Sequence, residues 1–511
     1  MARYADTIFT GARLWSPDGL PEGADALAVI GGRIATLGTS THIRTWANAS
    51  TEIVDLGGRT LMPGFVDAHT HLATDGLQAS GLHLDLETTG SLDDVLDRVR
   101  DAVQAREAGQ WIRGRGWDES RWSDGRYLTR EDLDSVAPDH PVALSRVDGH
   151  LLAVNSRALE TIDVGEDAST VDRDRGLLRE RAAWAFLDEI PLTGDEIETA
   201  IRAGIDRAHS LGITGVHDVV DADRIRVYHQ LNRRGALDLR VRLNPLVQYL
   251  DELETVGLGS EFGDEWLQLG AIKLFTDGSI GARNAALFEP YTDDDSTSGE
   301  LNYEPSQLHQ LVEQAHNTGF QVMLHAIGDR AIEAALSALE SAGVTPDDRA
   351  RIEHLEMPTD EQLRRMAERG IVASMQPNFL QWSGSDGMYD RRLGAERDER
   401  IDPHQRALDA GVPLAFGSDT MPLGPIYGLS LAVDAPHEAQ RLSPEDALRA
   451  YTSGAAYAGF AESHCGSLRA GAWADLVVLS DDPTTIEPAR FDELRVEATY
   501  LGGRLVHPTS T

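Results

Sequence analysis

The sequence predicts an α/β protein: a (β/α)8 TIM barrel with a discontinuous β-sandwich made from its two terminal segments and a large insertion after the first barrel strand. Three observations predict it. Eight short apolar segments run through the middle of the chain, separated mostly by helix-period stretches, which is the pattern of parallel βα units. Strand-rich segments sit at both ends, and about 140 residues separate the first two of the eight apolar segments.

The elements follow in chain order. Asp6–Trp15, Ala26–Leu37 and Glu52–Leu56 read as strands, with Gly31-Gly32-Arg33 and Gly57-Gly58-Arg59 as hairpin-type turns. The eight central segments are Leu61–Leu72, Ile213–Val220, Leu239–Val247, Ala271–Thr276, Phe320–Ala326, Arg351–Glu356, Ile371–Met375 and Val412–Gly417. Eight is the closing number of this barrel. Asp475–Ser480 and Val496–Val506 return to the style of the first sixty residues and include a third Gly-Gly-Arg at Gly502-Gly503-Arg504. The expected domains are therefore 1–60 with 465–511 as a composite β-sandwich, and 61–464 as the barrel. An insertion at about 75–210 carries a helix near Leu92–Ala108 together with Trp111–Trp122 and Val147–Leu152. An insertion on the catalytic face of a barrel is a candidate lid.

Composition narrows the class. The 511 residues are 41% hydrophobic and 25% charged, with no run near the roughly 20 apolar residues of a membrane span. Met1-Ala2-Arg3-Tyr4-Ala5-Asp6 leads into strand-like sequence without an apolar signal core, so a cytoplasmic location is expected. The single cysteine, Cys465, allows no intrachain disulfide. A formal net charge of −38 repels nucleic acid and anionic membranes. Of 46 Lys and Arg residues only Lys273 is lysine. An acidic chain so nearly emptied of lysine resembles proteins of salt-accumulating halophiles. The one retained lysine is then expected to do something a guanidinium cannot.

The chemistry gathers at the ends of the apolar segments. Asp67-Ala68-His69-Thr70-His71 closes the first. Residues two apart share a face of a strand, so both imidazoles can reach one borderline metal such as Zn²⁺. Asp67, one step deeper on the same face, is placed to orient a ligand histidine. Lys273 lies within the fourth segment, His325 and His354 in the fifth and sixth, and Asp419 just beyond the eighth. Catalytic groups of this fold lie at the C-terminal ends of its strands. A lysine in an apolar strand is costly unless paired or neutralised, and condensation with CO2 would make it a carbamate able to bridge two cations.

The order His-x-His, Lys, His, His, Asp on strands one, four, five, six and eight resembles the amidohydrolase superfamily over nearly the whole chain. Arg115-Gly116-Trp117-Asp118, Asp148-Gly149-His150 with Asn155-Ser156, Asp277-Gly278-Ser279-Ile280-Gly281 and His325-Ala326-Ile327-Gly328-Asp329 resemble its YtcJ-like branch. That branch is the amidohydrolase 3 family, which includes N-substituted formamide deformylases.

The resemblance implies His69, His71 and Asp419 around one divalent ion, His325 and His354 around another, and N6-carboxylated Lys273 bridging them. Zinc is the expected metal, with Mn²⁺, Fe²⁺ and Ni²⁺ as alternatives. The implied reaction is hydrolysis of a non-peptide C–N bond of a small molecule (amide, N-substituted formamide or cyclic amide) by a hydroxide between the two ions. Asp419 would take its proton and pass it to the leaving nitrogen. An esterase, lactonase or phosphoesterase on the same site, and a non-catalytic scaffold, stand as alternatives; homo-oligomers, dimers above all, are expected of such hydrolases.

His150, His217, Asp277, Trp117 and Gln376 are candidate substrate contacts, His150 and His217 also as donors to the oxyanion. For Trp117, Trp122 and Trp382 plain packing competes with pocket lining, and for Asp277 a structural turn does. Phe379 stands soon after Gln376-Pro377 where many relatives have histidine. The acidic composition itself is testable. A denaturation series should show stability climbing from millimolar to molar salt, and an unchanged midpoint would contradict the salt-adapted reading.

Overall fold

Eight parallel strands frame the larger part of the structure: β1 Phe65–Thr70, β2 Ile213–Val220, β3 Arg240–Pro245, β4 Ala271–Phe275, β5 Gln321–Ala326, β6 Arg351–His354, β7 Val372–Met375 and β8 Leu414–Phe416. The computed structural model describes residues 4–508 apart from 124, 148–150, 164–169, 180 and 191. These strands lie in two sheets. One runs β4-β5-β6-β7-β8, the other β1-β2-β3 with Leu267–Leu269 at its edge. They are buried along nearly their whole length, as strands covered on both faces must be. Helices such as Asp329–Ala342 and Asp360–Arg369 follow β5 and β6 and stop at Gly343 and Gly370, both left-handed; glycine supplies that conformation without steric cost.

The chain forms two compact units, residues 1–72 with 205–511, and residues 73–204. In the first, the terminal segments make two sheets. Arg33–Gly38, Ala26–Ile30, Thr7–Thr10 and Glu52–Asp55 form one; Arg13–Leu14, Thr60–Pro63, Leu476–Leu479, Val496–Leu501 and Arg504–Pro508 form the other. Phe9, Leu27, Val29, Leu61, Leu476, Val478 and Tyr500 pack into one core, with the Phe9 ring edge-on to Tyr500 at 4.8 Å.

The first apolar segment, expected as a single strand Leu61–Leu72, is divided. Thr60–Pro63 pairs antiparallel with Leu476–Leu479, whereas Phe65–Thr70 pairs in parallel with β2. The break falls at Gly64, where any Cβ would collide with the Thr214 side chain.

The 73–204 unit has its own six-stranded sheet, ordered Val171–Asp172, Leu177–Arg179, Leu151–Val154, Val142–Arg146, Ile112–Trp117 and His83–Asp85. Two hydrophobic clusters pack on it, one built with Leu92–Gln104 and one around Phe186 and Ile190. Trp117 belongs to the first. It is fully buried, stacks on Trp122 at 5.9 Å and donates its indole N–H to the Leu144 carbonyl at 2.8 Å. Trp117, named above as a candidate substrate contact, is thus packed inside this unit with its one polar atom engaged. Among the described residues no helix is long and apolar enough to cross a membrane.

Candidate metal centre

His69, near the end of β1, is buried, and His71 just beyond the strand is one-third exposed. Their Nε2 atoms lie 3.5 and 3.1 Å from Asp419 Oδ1. One ligand atom from each of the three falls within 4.8 Å of the others. Beside them the His69 and His354 rings are 5.1 Å apart and the His325 and His354 rings 4.5 Å. Lys273 is fully buried, its Nζ 4.7 Å from the Phe275 ring centre. The strands deliver these groups together because β4, β5 and β6 run in register, Phe275 opposite His325 and Ala326 opposite His354.

Hydrogen bonds fix which nitrogens are free. The Glu353 carboxylate can only accept, so His69 donates from Nδ1 (2.6 Å) and keeps the Nε2 lone pair for the cluster. His325 Nε2 lies 3.0 Å from the Gly278 carbonyl, also an acceptor, which leaves the Nδ1 lone pair free. His325 Nδ1, His354 Nδ1 and Lys273 Nζ are buried without a hydrogen-bond partner among the described residues. Each such atom costs about 1–3 kcal/mol. The two imidazole nitrogens suit a bound cation, which satisfies lone pairs that protein donors do not reach, and Lys273 Nζ has a lone pair to offer once it has lost its proton.

The electrostatics agree with that chemistry. Burial, with Lys273 next, lowers His69 and takes His325 to about 3; burial takes His354 well below its ordinary value. All three are the neutral imidazoles that metals require. Burial alone would raise Asp419, but His69, His71 and Lys273 draw it down to about 2, an ionised carboxylate. Burial lowers Lys273 to about 8 against the pull of Glu353 and Asp419. A much larger fraction of its amine is thus unprotonated near neutrality than in an ordinary lysine.

Beneath the histidines lies a buried Arg351–Glu353 pair that sequence reading did not single out. Arg351 donates to Glu353 (2.9 Å), the Ala68 carbonyl (2.6 Å), Ser374 Oγ (2.8 Å) and His217 Nδ1 (2.9 Å). The available signal was Arg-x-Glu on a strand, which puts two opposite charges on one face. Asp67, expected to orient a ligand imidazole, instead accepts from the backbone N–H groups of His69 (3.2 Å) and Ser418 (2.9 Å). The imidazole is held by Glu353.

The expected substrate contacts fall elsewhere. His217 is buried and its Nδ1 is taken by Arg351. Asp277 is 2% exposed and accepts from Ala286, Ile327 and Gly328 N–H, so its carboxylate fastens loops and stands 3.4 Å from His325. Gln376 is buried and donates to the Ser374 carbonyl. Both oxygens of Asp277 are thus engaged by backbone N–H groups, and His217 is engaged at Nδ1. His150 lies outside the described residues. Phe379 stacks on His354 at 5.7 Å. Two non-glycine strand ends are left-handed: His354 and Leu355 at φ 71° and 51°, Asp419 and Thr420 at φ 52° and 58°. Such backbones cost about 1–3 kcal/mol each and concentrate at functional sites.

A family model described as amidohydrolase family matches residues 52–507. The chain belongs to the amidohydrolase family. This amidohydrolase is 30% identical to the YtcJ protein of Bacillus subtilis over 95% of its own length and 96% of the relative's. It is 28% identical to the N-substituted formamide deformylase of Arthrobacter pascens over 99% of each chain. Its fold matches a crystal structure of an uncharacterized metal-dependent hydrolase from Pyrococcus furiosus with a TM-score of 0.84 and 32% identity, covering 94% of this chain and 100% of that one.

Removing the charge beneath the histidines tests their support. Glu353→Gln should lower unfolding stability by about 3–5 kcal/mol, since it leaves Arg351 a buried cation without its counter-charge. Burial raises the Glu353 carboxyl, and Arg351 and His69 overcome it to hold the pKa at about 2, below the ordinary 4.5. Its contribution is therefore present above pH 4.5 and fades as pH falls toward 2. Denaturant titrations of both proteins across that window check this, and equal stability at neutral pH would contradict the support role.

Proposed function

We propose that this amidohydrolase uses two divalent cations to hydrolyse a non-peptide C–N bond of a small molecule, N-substituted formamides and amides being the first substrates to try. The observation that carries the reading is the trio of buried, unpartnered atoms on His325, His354 and Lys273 beside the His69, His71, Asp419 group. His69, His71 and Asp419 would hold one ion and His325 and His354 the other. The resemblance to a deformylase over the full chain supports the substrate class, and the metal-dependent hydrolase neighbour supports the cofactor. Zinc suits a set this rich in imidazole.

Lys273 would bridge after its neutral amine attacks CO2, forming an N–C bond and releasing one proton. This gives the one lysine of the chain a role no arginine can fill. When bound, the cations supply Lewis acidity, polarising the substrate carbonyl and acidifying water. The chain supplies the rest. Glu353 holds His69 in one tautomer, and Asp277 and the Gly278 carbonyl hold His325. Asp419 would accept one proton from the attacking water and return it to the nitrogen as the C–N bond breaks, giving the amine and a carboxylic acid, which then loses its remaining proton to solvent.

The two parallel sheets are inferred to close into one (β/α)8 TIM barrel. Leu246 bridges to Lys273 at one seam, and Asp419 N–H donates to the His69 carbonyl at the other. Residues 1–60 and 465–511 would then be a β-sandwich beside it, with the insertion at about 75–210 leaving after β1. The acidic, lysine-poor composition supports a salt-adapted cytoplasmic enzyme.

A panel of N-substituted formamides, linear and cyclic amides, esters and lactones tests the reading. Turnover of a formamide or amide is expected, with Asp419→Asn lowering kcat about 10²–10⁴-fold. Turnover of esters alone, or an Asp419→Asn enzyme of full activity, would contradict it.

A further inference from the structure

At the end of the strands opposite the histidines lies an open cavity of about 640 Å³. Gln321, the first residue of β5, lines it, whereas His325 stands four residues further on, roughly 13 Å along the strand. Arg242 also lines it and is only 7% exposed. Its Nε has no partner, its Nη1 reaches Gln268 Oε1 only at 3.5 Å, and it makes no ion pair with any described residue. Two neighbouring guanidinium groups hold carboxylates of their own: Arg349 holds Glu462 at 2.6 and 2.9 Å, and Arg351 holds Glu353. Burial lowers Arg242 only to about 10, so it is a cation at neutral pH. In a chain of net charge −38, this buried arginine is favoured by the Glu261 charge at the rim and by the Phe460 ring 5.5 Å away, but it has no ion pair with a described residue to offset its burial in full.

Gln321 adds the complementary defect. Its Nε2 donates to the Arg349 and Ala458 carbonyls at 2.7 and 2.9 Å, while its Oε1 is buried with no donor. Glu261 and Asp347 stand exposed at the rim, Asp348 faces His316 at 3.6 Å, and Phe262, Phe320 and Phe460 give the lining apolar surface.

We propose that this cavity is a second ligand site, for a small carboxylate with a hydrogen-bond donor beside the carboxyl group, the zwitterion of an apolar amino acid being its simplest form. The guanidinium fork of Arg242 takes the carboxylate. Gln321 Oε1 accepts from the ammonium, which the acidic rim also favours, and the phenyl groups cover the side chain.

Thermal denaturation at constant ionic strength tests this with L-phenylalanine, phenylpropanoate, which lacks the donor, and phenethylamine, which lacks the carboxylate. L-Phenylalanine should raise the wild-type Tm saturably by about 2 °C, phenylpropanoate by less, and phenethylamine not at all. The rise should persist in Asp419→Asn, which separates this site from the metal centre, and vanish in Arg242→Met. Glu261→Gln, at the exposed rim, removes a charge that favours the ammonium but opposes the carboxylate, so it should lower the response to L-phenylalanine relative to that to phenylpropanoate, and it decides the matter should Arg242→Met not fold. No rise in the wild type, equal rises with phenylalanine and phenylpropanoate, a rise lost in Asp419→Asn, or one undiminished in both cavity variants would each overturn the proposal.

Discussion

The Arg351 guanidinium, fully buried and saturated with partners, is the constraint on which the candidate centre depends. Its contacts reach Ala68 in β1, His217 in β2 and Ser374 in β7, besides Glu353 in its own strand β6. β1 and β2 belong to one parallel sheet, β6 and β7 to the other. One planar group thus spans both. Glu353, ionised by that neighbour, is in turn free to accept from His69 and to set which of its nitrogens faces Asp419 and His71. A buried ion pair is a poor source of net stability, but here it specifies geometry: shifting either sheet would break several charge-assisted hydrogen bonds at once.

Above this layer the physical logic reverses. Arg351 and Glu353 satisfy one another, whereas Lys273, His325 and His354 present atoms with no hydrogen-bond partner among the described residues. The left-handed backbones at His354 and Asp419 add strain at the same level. Arg242 shows a smaller version of the same imbalance at the opposite end.

Much of this was legible in the residues. Each of the eight apolar segments contains a parallel strand, the first being divided at Gly64, since near-continuous apolar runs between helix-period stretches have few other uses. Lys273, His325, His354 and Asp419 were visible as charged or ligating residues where such strands end. What escaped notice depended on long-range partners. Gly64 breaks an apolar run only because Thr214 stands opposite. Asp67 reads as support for an imidazole until Ser418, some 350 residues later, brings a competing N–H. Trp117 lies in a stretch that marks the family branch, yet its indole is spent on Leu144. Arg351 and Glu353 read as ordinary polar positions of a strand, because nothing local says that they are buried together.

The central claim is that the unpartnered atoms of Lys273, His325 and His354 exist to hold metal with His69, His71 and Asp419. Metal content per chain tests it most directly, measured by elemental mass spectrometry on wild type and Lys273→Arg, both purified in high salt with bicarbonate. The account predicts about two divalent ions per wild-type chain and a clear loss in Lys273→Arg, which cannot form the carbamate. A folded wild type that holds none, even after incubation with zinc or manganese, would contradict it.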